Sequence, residues 1–235
     1  MSHSPLKQPT LEQAELERRI LFEGGGVIAV DKPWGLPSTG RGLDDDDCLQ
    51  FALMQRHGAM VWAVHQLDAD TSGVNLFVCS RGLVPHWQQR MQFPNGTKTY
   101  LAIVHGKVDF DERRIEAPIG VVSETPSRQL GVVVGGQRAA TVVHVLDRSR
   151  TAGLLRVRIE TGRTHQIRIH LGSLGHPLFG EDWYREPKCS AHPRQALHAW
   201  RVEFGDDESP QSIESPLPED LRTLIDDQRL KLPRD

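Results

Sequence analysis

The sequence predicts one α+β domain, in which helices and loops flank a mixed, largely antiparallel β-sheet. Strand candidates outnumber helix candidates, and short turns join several neighbouring strands. Strands and helices do not alternate regularly, as they would in a doubly wound parallel sheet. The chain has 235 residues, which suits one domain of this kind. We expect residues 1–18 to form an N-terminal extension and residues 19–235 to form the domain.

The strand predictions rest on period-two alternation and on short apolar runs bounded by turn residues. In chain order, the predicted strands span residues 27–30, 74–78, 99–104, 130–134, 140–146, 155–159 and 197–204. We expect the fourth and fifth of these strands to form a hairpin, because Gly135 and Gly136 stand between them. The sixth strand alternates cleanly, which places Arg156 and Arg158 on the face opposite its apolar residues.

The helix predictions rest on apolar residues that recur every three or four positions. The predicted helices are a short one from Leu11 onward, two over residues 48–57 and 83–93, one that follows Thr164, and one over residues 218–230. The second of these follows four successive aspartates, Asp44 to Asp47, which repel one another and predict an exposed loop. Thr164 is the expected N-cap of the fourth helix, whose apolar face begins at Ile167.

The composition is that of a globular protein with a slightly acidic balance. The chain is 38% hydrophobic and has 28 Lys and Arg against 31 Asp and Glu, a formal net charge of −3. This excludes a uniformly basic coat protein for nucleic acid, but it leaves room for a local basic patch. The three cysteines, Cys48, Cys79 and Cys189, contain no CxxC pair, which favours a reducing compartment over a disulfide framework.

Neither a membrane span nor a secretory signal is expected. The longest uninterrupted apolar run covers residues 59–64, whereas a span needs about 20 residues. The polar N-terminal residues lack the apolar stretch that is typical of a secretory signal. We therefore expect a cytoplasmic protein.

Chemically versatile side chains are concentrated in the segment at residues 65–73. It reads His-Gln-Leu-Asp-Ala-Asp-Thr-Ser-Gly and lies between two apolar stretches. Two carboxylates and two hydroxyls in so few residues suit a reactive site. The same residue types are ordinary turn formers that bond their own backbone, so this segment alone also suits a tight loop.

Two further segments carry candidate residues. In residues 98–106, Tyr100 alternates with Ala102 and Val104, a pattern that alone indicates a tyrosine of the core. Residues 156–170 contain four Arg and one Glu, so this stretch has a local formal charge of +3. A solvated helix surface explains such a patch, but the planar guanidinium also suits recognition of phosphate.

Patterns for metals and nucleotide cofactors are missing from the sequence. The histidines His165, His170 and His176 lack the spacing of a helical zinc site, and Cys189 and His192 form a lone pair. No GxGxxG, Walker or GxSxG motif is present. We therefore expect neither a metal nor a cofactor.

Together and in this order, these segments resemble the RluA-type pseudouridine synthases. Residues 65–73 are similar to the family's His-Arg-Leu-Asp-x-x-Thr-Ser-Gly, and residues 98–102 are similar to its Lys-x-Tyr-x-Ala. Residues 162–168 are similar to the Gly-Arg-Thr-His-Gln-Ile-Arg helix of the family. Several ordered segments are far harder to obtain by chance than one motif.

The resemblance extends over nearly the whole domain, from about residue 21 to about residue 204. The strand and turn at residues 27–35 are similar to the family's opening strand and Lys-Pro-x-Gly turn, and residues 175–180 and 196–199 also match. The resemblance implies the family's fold, which makes residues 19–235 its single α+β catalytic domain. Some relatives begin with an S4-like RNA-binding domain, and we expect none before the opening strand here.

The reaction that the resemblance implies is the conversion of uridine in rRNA or tRNA to pseudouridine. In this isomerisation the N1–C1′ bond breaks, the uracil turns, and C5 bonds to C1′. Asp68 matches the catalytic aspartate, and an ionised carboxylate can attack C1′ or stabilise positive charge there. A route through proton abstraction stays open as well. No cofactor and no metal are needed, which agrees with the missing motifs.

The resemblance assigns supporting roles to residues of all three segments. Arg168 matches the arginine that pairs with this aspartate, and an opposite charge favours the ionised carboxylate. Tyr100 matches the tyrosine that packs on the target base, a role that suits a base taken out of its stack.

The basic residues are candidates for contacts with RNA. We expect Lys98, Arg163 and the face formed by Arg156 and Arg158 to bind phosphates. Thr71, within the first segment, is expected to support catalysis or substrate binding.

One position departs from the family pattern. The usual arginine, two positions before the catalytic aspartate, is Gln66 in this chain. In relatives that arginine can help to extrude or replace the flipped base. A glutamine amide can bond to a base but cannot form an ion pair with a phosphate, so Gln66 marks a subgroup with its own way of handling the base.

Two other functions remain open on the sequence. One is an RNA-binding relative of the family without catalysis. The other is a glycosidase with Asp68 and Asp70 as its carboxylate pair, since residues two apart on a strand share a face. We expect a monomer.

Overall fold

The structure is a computed structural model that describes residues 11–42, 45–124, 129–184, 192–206 and 210–232. Three positions on which the sequence led to predictions lie outside these ranges. They are the tail before Leu11, the first aspartate of the acidic run at Asp44, and Cys189.

The strands confirm the predicted fold class. The described strands are β1 (Ile20–Gly24), β2 (Val27–Lys32), β3 (Trp62–Ala63), β4 (Ser72–Val78), β5 (Gly96–His105), β6 (Glu112–Ile115), β7 (Ile119–Ser123), β8 (Gln129–Val132), β9 (Thr141–Arg148), β10 (Ala152–Ile159), β11 (Leu197–Phe204) and β12 (Ser212–Glu214). Ten of them form one sheet in the order β1-β2-β4-β11-β5-β10-β9-β6, with β3 beside β4 and β12 beside β11. Every pair is antiparallel except β4 and β11, so the sheet is mixed and largely antiparallel.

Five helices accompany the sheet within the described residues. They are α1 (Gln13–Arg18), α2 (Leu49–His57), α3 (Val84–Arg90), α4 (Gln166–Ser173) and α5 (Glu219–Asp227), with a 3₁₀ turn at Arg81–Leu83. No helix in the described ranges is long and apolar enough to cross a membrane.

Helices cover both faces of the part of the sheet that contains β2. Ile28 and Val30 pack with α1 and α2, whereas their neighbours Val27 and Ala29 pack with Trp87 of α3. Because side chains alternate between the faces of a strand, the apolar run at residues 27–30 of β2 requires a layer on each side. Each such aliphatic side chain, once buried, contributes roughly 1.5–3 kcal/mol to stability.

The other part of the sheet is covered in the same way. Ala102 and Val157 pack with α4, while Ile103 and Leu154 pack with α5 on the opposite face. Since α4 covers the face of β5 that carries Ala102, it also covers the neighbouring Tyr100. This arrangement places α4, which carries Arg168, against β5, which carries Tyr100.

Gly73 allows β11 to lie directly beside β4. The residue has φ +112°, and a Cβ atom there would come within 2.2 Å of the carbonyl oxygen of Ala199. Only glycine tolerates both the backbone conformation and this approach. The Thr-Ser-Gly part of the first segment thus joins β4 to the centre of the sheet.

The predicted hairpin of strands 130–134 and 140–146 is wrong. β8 pairs with β7 in a separate two-stranded sheet, and β9 pairs with β6 and β10 in the main sheet. Gly136 returns the chain to β7, where Gln137 and Ile119 exchange two backbone hydrogen bonds of 2.8 and 2.9 Å. A Cβ on Gly136 would lie 2.7 Å from the Ile119 backbone, so the glycine serves this close crossing.

Thr164 is not the N-cap of α4, as the sequence suggested. His165 occupies that position with φ 55°, and its side chain does not cap the helix. The side chain of Gln166 instead fixes the loop before the helix, because its Oε1 accepts hydrogen bonds from the Arg163 N–H at 3.1 Å and the Thr161 hydroxyl at 2.7 Å. The sequence also gave no indication of β1, which forms a hairpin with β2 through Gly25 and Gly26, at φ 59° and 75°.

Candidate active site

A cavity of about 540 Å³ opens where the first segment, β5 and the start of α4 meet. Seven of the residues that the sequence singled out line it, namely Gln66, Asp68, Thr71, Lys98, Tyr100, Arg163 and Arg168. Residues separated by a hundred positions along the chain therefore converge on one place. We call this space the Asp68 cavity.

Asp68 lies in a turn and not on a strand. The Thr71 N–H donates to the Asp68 carbonyl oxygen at 3.0 Å, which closes the turn just before β4 begins. The expectation that Asp68 and Asp70 share one face of a strand is therefore wrong. Asp70 does not line the cavity, and this removes the geometric basis for a glycosidase pair.

Lys32 stabilises the turn that contains Asp68, which we call the Asp68 turn. Its ammonium group is fully buried and donates to three carbonyl oxygens, those of Pro33, Leu36 and Ala69, at 2.9, 2.6 and 2.8 Å. The Gly35 N–H donates to the Ala69 carbonyl as well, at 2.9 Å. Burial lowers the pKa of Lys32 to about 7, although nearby carboxylates oppose the shift.

Arg194 also stabilises the Asp68 turn. The guanidinium group has no exposed surface, and its Nη1 donates to the carbonyl oxygens of Asp70 and Leu197, both at 3.0 Å. Its Nε and Nη2 donate to the carboxylate of Asp220 at 2.7 and 3.2 Å. The carbonyl groups of Ala69 and Asp70, which follow Asp68 directly, are thus each fixed by a buried cation.

Asp68, Arg168 and Glu181 form what we call the ion-pair cluster. Arg168 donates from Nη1 to Asp68 Oδ2 at 3.0 Å, as the resemblance implied. It also donates from Nε and Nη2 to the two carboxylate oxygens of Glu181, each at 2.8 Å. Arg168 is 3% exposed and Glu181 is completely buried, so this fork is a buried, bidentate pair.

The pairing keeps both buried partners charged. Burial alone would raise the pKa of Glu181, but hydrogen bonds and charge from Arg168 outweigh burial and lower it. Burial would likewise lower the pKa of Arg168, and the two carboxylates reverse that effect. Because Glu181 takes two donors of Arg168, Asp68 is held by one hydrogen bond. In the described part of the chain its Oδ1 accepts none.

Glu181 is the residue of the site that sequence reasoning missed. It belongs to the stretch at residues 175–182, which contains turn residues and a buried aromatic but no evident chemistry. The sequence indicates Glu181 only when it is considered together with Arg168, because a buried arginine inside an apolar helix needs a charged partner. The sequence supplied Asp68 as that partner and left the second one unidentified.

His165 stands between Asp68 and an aromatic pair. Its Nε2 lies 3.7 Å from Asp68 Oδ1, and its Nδ1 is hydrogen-bonded to the Tyr184 hydroxyl at 2.7 Å. The ring of Trp183 meets the imidazole edge-on, with 5.3 Å between the ring centroids. Burial lowers the pKa of His165, while the charge of Asp68 opposes the shift.

Tyr100 and Lys98 form the β5 wall of the cavity. Tyr100 is 7% exposed, and burial followed by the charge of Asp68 raises the pKa of its phenol, which stays protonated. Burial lowers the pKa of Lys98. Its Nζ would lie 3.7 Å from a Cβ atom on Gly162. Lys98 therefore faces the cavity interior and not an open surface.

The remaining predicted residues lie at the rim or in the wall. The Gln66 amide is exposed and donates to the Thr39 hydroxyl at 2.9 Å, while Thr71 is 2% exposed. Arg163 is exposed and donates from Nε to the Arg138 carbonyl oxygen at 3.0 Å. Arg156 is exposed on β10 together with Arg158, as their alternation predicted.

The chemistry of this arrangement follows from one carboxylate in a cavity with aromatic walls. An arginine-paired aspartate can attack an electrophilic carbon or stabilise positive charge that develops on it. The flat side of Tyr100 suits a planar ring. No cluster of three or more metal-ligating side chains exists within the described ranges.

Comparison with known proteins gives a family match. A sequence model described as "RNA pseudouridylate synthase" matches residues 26–173. The matched range contains Asp68, Tyr100 and Arg168, whereas Glu181 lies beyond it.

Curated relatives agree with that match. The chain is 38% identical over 231 residues to "Ribosomal large subunit pseudouridine synthase D" of Nitrosomonas europaea, which covers 91% of this chain and 66% of that protein. It is 39% identical over 223 residues to "Uncharacterized RNA pseudouridine synthase YlyB" of Bacillus subtilis, covering 89% and 72%. The chain thus spans about two thirds of the length of these relatives.

Solved structures share the fold. The human protein "RNA Pseudouridylate Synthase Domain Containing 4" superposes with a TM-score of 0.77 at 21% identity, and the match covers 94% of this chain and 97% of that one. At this level of identity the likeness concerns the fold alone.

Proposed function

The chain belongs to the RNA pseudouridylate synthase family, and from this membership we propose that it isomerises uridine in RNA to pseudouridine, with Asp68 as the catalytic carboxylate. The observation that carries the proposal is the position of Asp68. It is hydrogen-bonded to the buried Arg168 and lines one cavity with Tyr100.

The proposed reaction needs no external reagent. The N1–C1′ bond breaks while the Asp68 carboxylate attacks C1′ or stabilises the positive charge there. The uracil then turns, C5 bonds to C1′, C5 loses its proton, and N1 ends with a hydrogen. Substrate and product are isomers. The phenol of Tyr100, the amide of Gln66 and the hydroxyl of Thr71 lie in the same cavity, where we propose they contact the flipped base.

The basic residues divide into an inner and an outer set. Lys98 lies inside the cavity, so we propose that it contacts the nucleotide that carries the target uracil. Arg163 is exposed at the rim of the cavity, and Arg156 and Arg158 form an exposed face on β10. We propose that these three arginines bind backbone phosphates.

We propose rRNA or tRNA as the substrate class. One relative carries a ribosomal name, and a second, from Vibrio vulnificus, is named "Dual-specificity RNA pseudouridine synthase RluA" and is 30% identical over 193 residues. We further propose that the protein acts as a monomer in the cytoplasm. Sedimentation of the purified protein with and without RNA tests the oligomeric state.

The experiment is pseudouridine mapping on total rRNA and tRNA from cells that lack this protein, after incubation with the purified enzyme. We expect new pseudouridine at defined positions with the wild type and none with Asp68→Ala. Asp109→Asn is the matched control, because this carboxylate is exposed and does not line the cavity. This control variant should act like the wild type.

Other outcomes would overturn the proposal. RNA binding that falls with salt, without isomerisation and without any effect of Asp68→Ala, would indicate an RNA-binding relative that lacks catalysis. Release of free uracil would indicate glycosidic cleavage without re-addition.

A further inference from the structure

A second cavity of about 690 Å³ lies beside the Asp68 cavity. The two share the segment at residues 162–165, which forms a wall of both. On its other side the second cavity is bounded by the small β7–β8 sheet and by the turn that follows β8. We call this space the glycine cleft. Its volume lies within the range of about 300–1,000 Å³ that is usual for small-ligand sites.

The walls of the glycine cleft leave room for a flat ligand. Gly120, Gly135, Gly136 and Gly162 contribute backbone instead of side chains. Trp183 also lines the cleft and is 69% exposed. Its indole offers a large, flat apolar face at the edge of the cleft, which suits stacking on a planar ring.

The charge of the cleft is positive. Arg163 lines it, and the described lining contains no acidic residue. Arg163 donates through Nε to the Arg138 carbonyl oxygen, and within the described ranges it makes no ion pair. Its two terminal nitrogens can therefore donate to a phosphate as a fork. A planar aromatic contact next to a cation is the combination that recognises an unpaired nucleotide.

We propose that the glycine cleft binds the base of a nucleotide that flanks the target uridine, stacked on Trp183, with Arg163 on the intervening phosphate. The inference rests on the proposed function, because it takes the Asp68 cavity as the place of the target base. The shared segment at residues 162–165 then lies between two splayed bases. An RNA with two adjacent unpaired bases would bind better than one in which only the target uridine is free.

The test is a binding cycle that does not depend on catalysis. The probes are fluorescein-labelled single strands of roughly nine nucleotides, in which one uracil is the only base and all other positions are abasic. In further probes one adenine is restored at a varied distance from that uracil. Fluorescence anisotropy gives Kd for the wild type, for Trp183→Ala and for Phe93→Ala, a control at an exposed aromatic that lines neither cavity.

We expect adenine at one position to tighten binding to the wild type by about tenfold, the usual effect of one stacked base. Trp183→Ala should abolish this gain and leave Kd of the uracil-only probe unchanged, while Phe93→Ala retains the gain. If the gain persists in Trp183→Ala, or no position of adenine gives one, the inference is overturned and the cleft at most contacts the backbone. An equal loss with both probes would also overturn it, since Trp183 would then act only through Arg168, whose guanidinium carbon lies 5.6 Å from the centroid of the Trp183 ring.

These outcomes can be told apart from those that test the proposed function. If the protein forms pseudouridine but shows no adenine-dependent gain, the flanking site fails and the catalytic proposal stands. If the gain is present but no pseudouridine forms, the site stands and the catalytic proposal fails.

Discussion

Arg163 and Arg168 belong to the same segment, yet they end in opposite surroundings. Arg168 is 3% exposed and donates to two carboxylates in the ion-pair cluster. Arg163 is exposed at the border of the glycine cleft and bonds to one carbonyl oxygen. The first region is surrounded by further buried cations with several partners each, whereas the second is lined by glycine backbone and an exposed tryptophan.

The difference indicates that the two cavities have different roles. The Asp68 turn is fixed by Lys32 and Arg194 on two consecutive carbonyl groups, which suits a reactive group that must keep its geometry. The glycine cleft is instead bordered by two exposed side chains, Arg163 and Trp183. We therefore expect changes in the first region to affect stability and catalysis, and changes in the second to affect RNA binding alone.

The largest effect is expected at Glu181. Glu181→Gln leaves the buried Arg168 with one charged partner in place of two, and breaking such a pair costs about 3–5 kcal/mol of unfolding free energy. Urea denaturation measures the loss. Turnover should fall as well, because Arg168 can then shift toward Asp68.

Glu116→Gln is the matched control for that prediction. Glu116 pairs with Arg114, but the two side chains are 58% and 45% exposed. Removing an exposed pair of this kind changes stability by less than about 1 kcal/mol. If the two variants lose equal stability, the buried cluster does not have the importance that the comparison assigns to it.

A smaller effect is expected from acid, through His198 beside the Asp68 turn. His198 is fully buried, its Nδ1 is hydrogen-bonded to the Ser72 hydroxyl at 2.9 Å, and burial lowers its pKa to about 4. An unfolded histidine has a pKa of about 6.5. Between these values the unfolded chain binds more protons, so the free energy of unfolding falls as the pH falls, by about 3 kcal/mol at most from this residue.

The measurement is urea denaturation of the wild type and of His198→Gln between pH 7 and pH 4. Other groups also titrate in this window, so the informative quantity is the difference between the two pH profiles. The variant should lose less stability toward acid. Parallel profiles would show that His198 is not held neutral by burial.

The smallest effect on stability is expected at Arg163, where it should be almost absent. Arg163→Gln should change the free energy of unfolding by less than about 0.5 kcal/mol, as surface substitutions do. RNA binding should weaken, and the slope of log K against log salt should fall by about one for the phosphate contact that is lost. A stability loss comparable to that of Glu181→Gln would contradict the contrast between the two regions.

Sequence alone revealed those site residues that stand in a short segment with a recognisable pattern. Asp68, Tyr100 and Arg168 each stand in a segment with its own pattern, and all three line one cavity as expected. The contribution of Lys32 was hidden because its partners are backbone carbonyl groups, which no side-chain pattern encodes. Glu181 was hidden because its partner lies on another element.

The fold class was predictable, while one pairing was not. Period-two patterns identified β8 and β9 but cannot say which strand lies beside which. The glycines at 135 and 136 suggested a hairpin turn. In the structure they bring the chain close to Ile119 and so build the glycine cleft. The wrong prediction therefore fell on the region that we assign to RNA recognition.

The central place of β11 has a consequence for how the chain folds during synthesis. The strand lies between β4 and β5, although it follows them by roughly a hundred residues. Before residues 197–204 leave the ribosome, the strands that present Asp68 and Tyr100 have unpaired edges, which invite aggregation. Such long-range pairing also slows folding. The Asp68 cavity is therefore absent from any nascent chain that has not reached β11, and the proposed activity requires that residues 197–204 have been synthesised and paired.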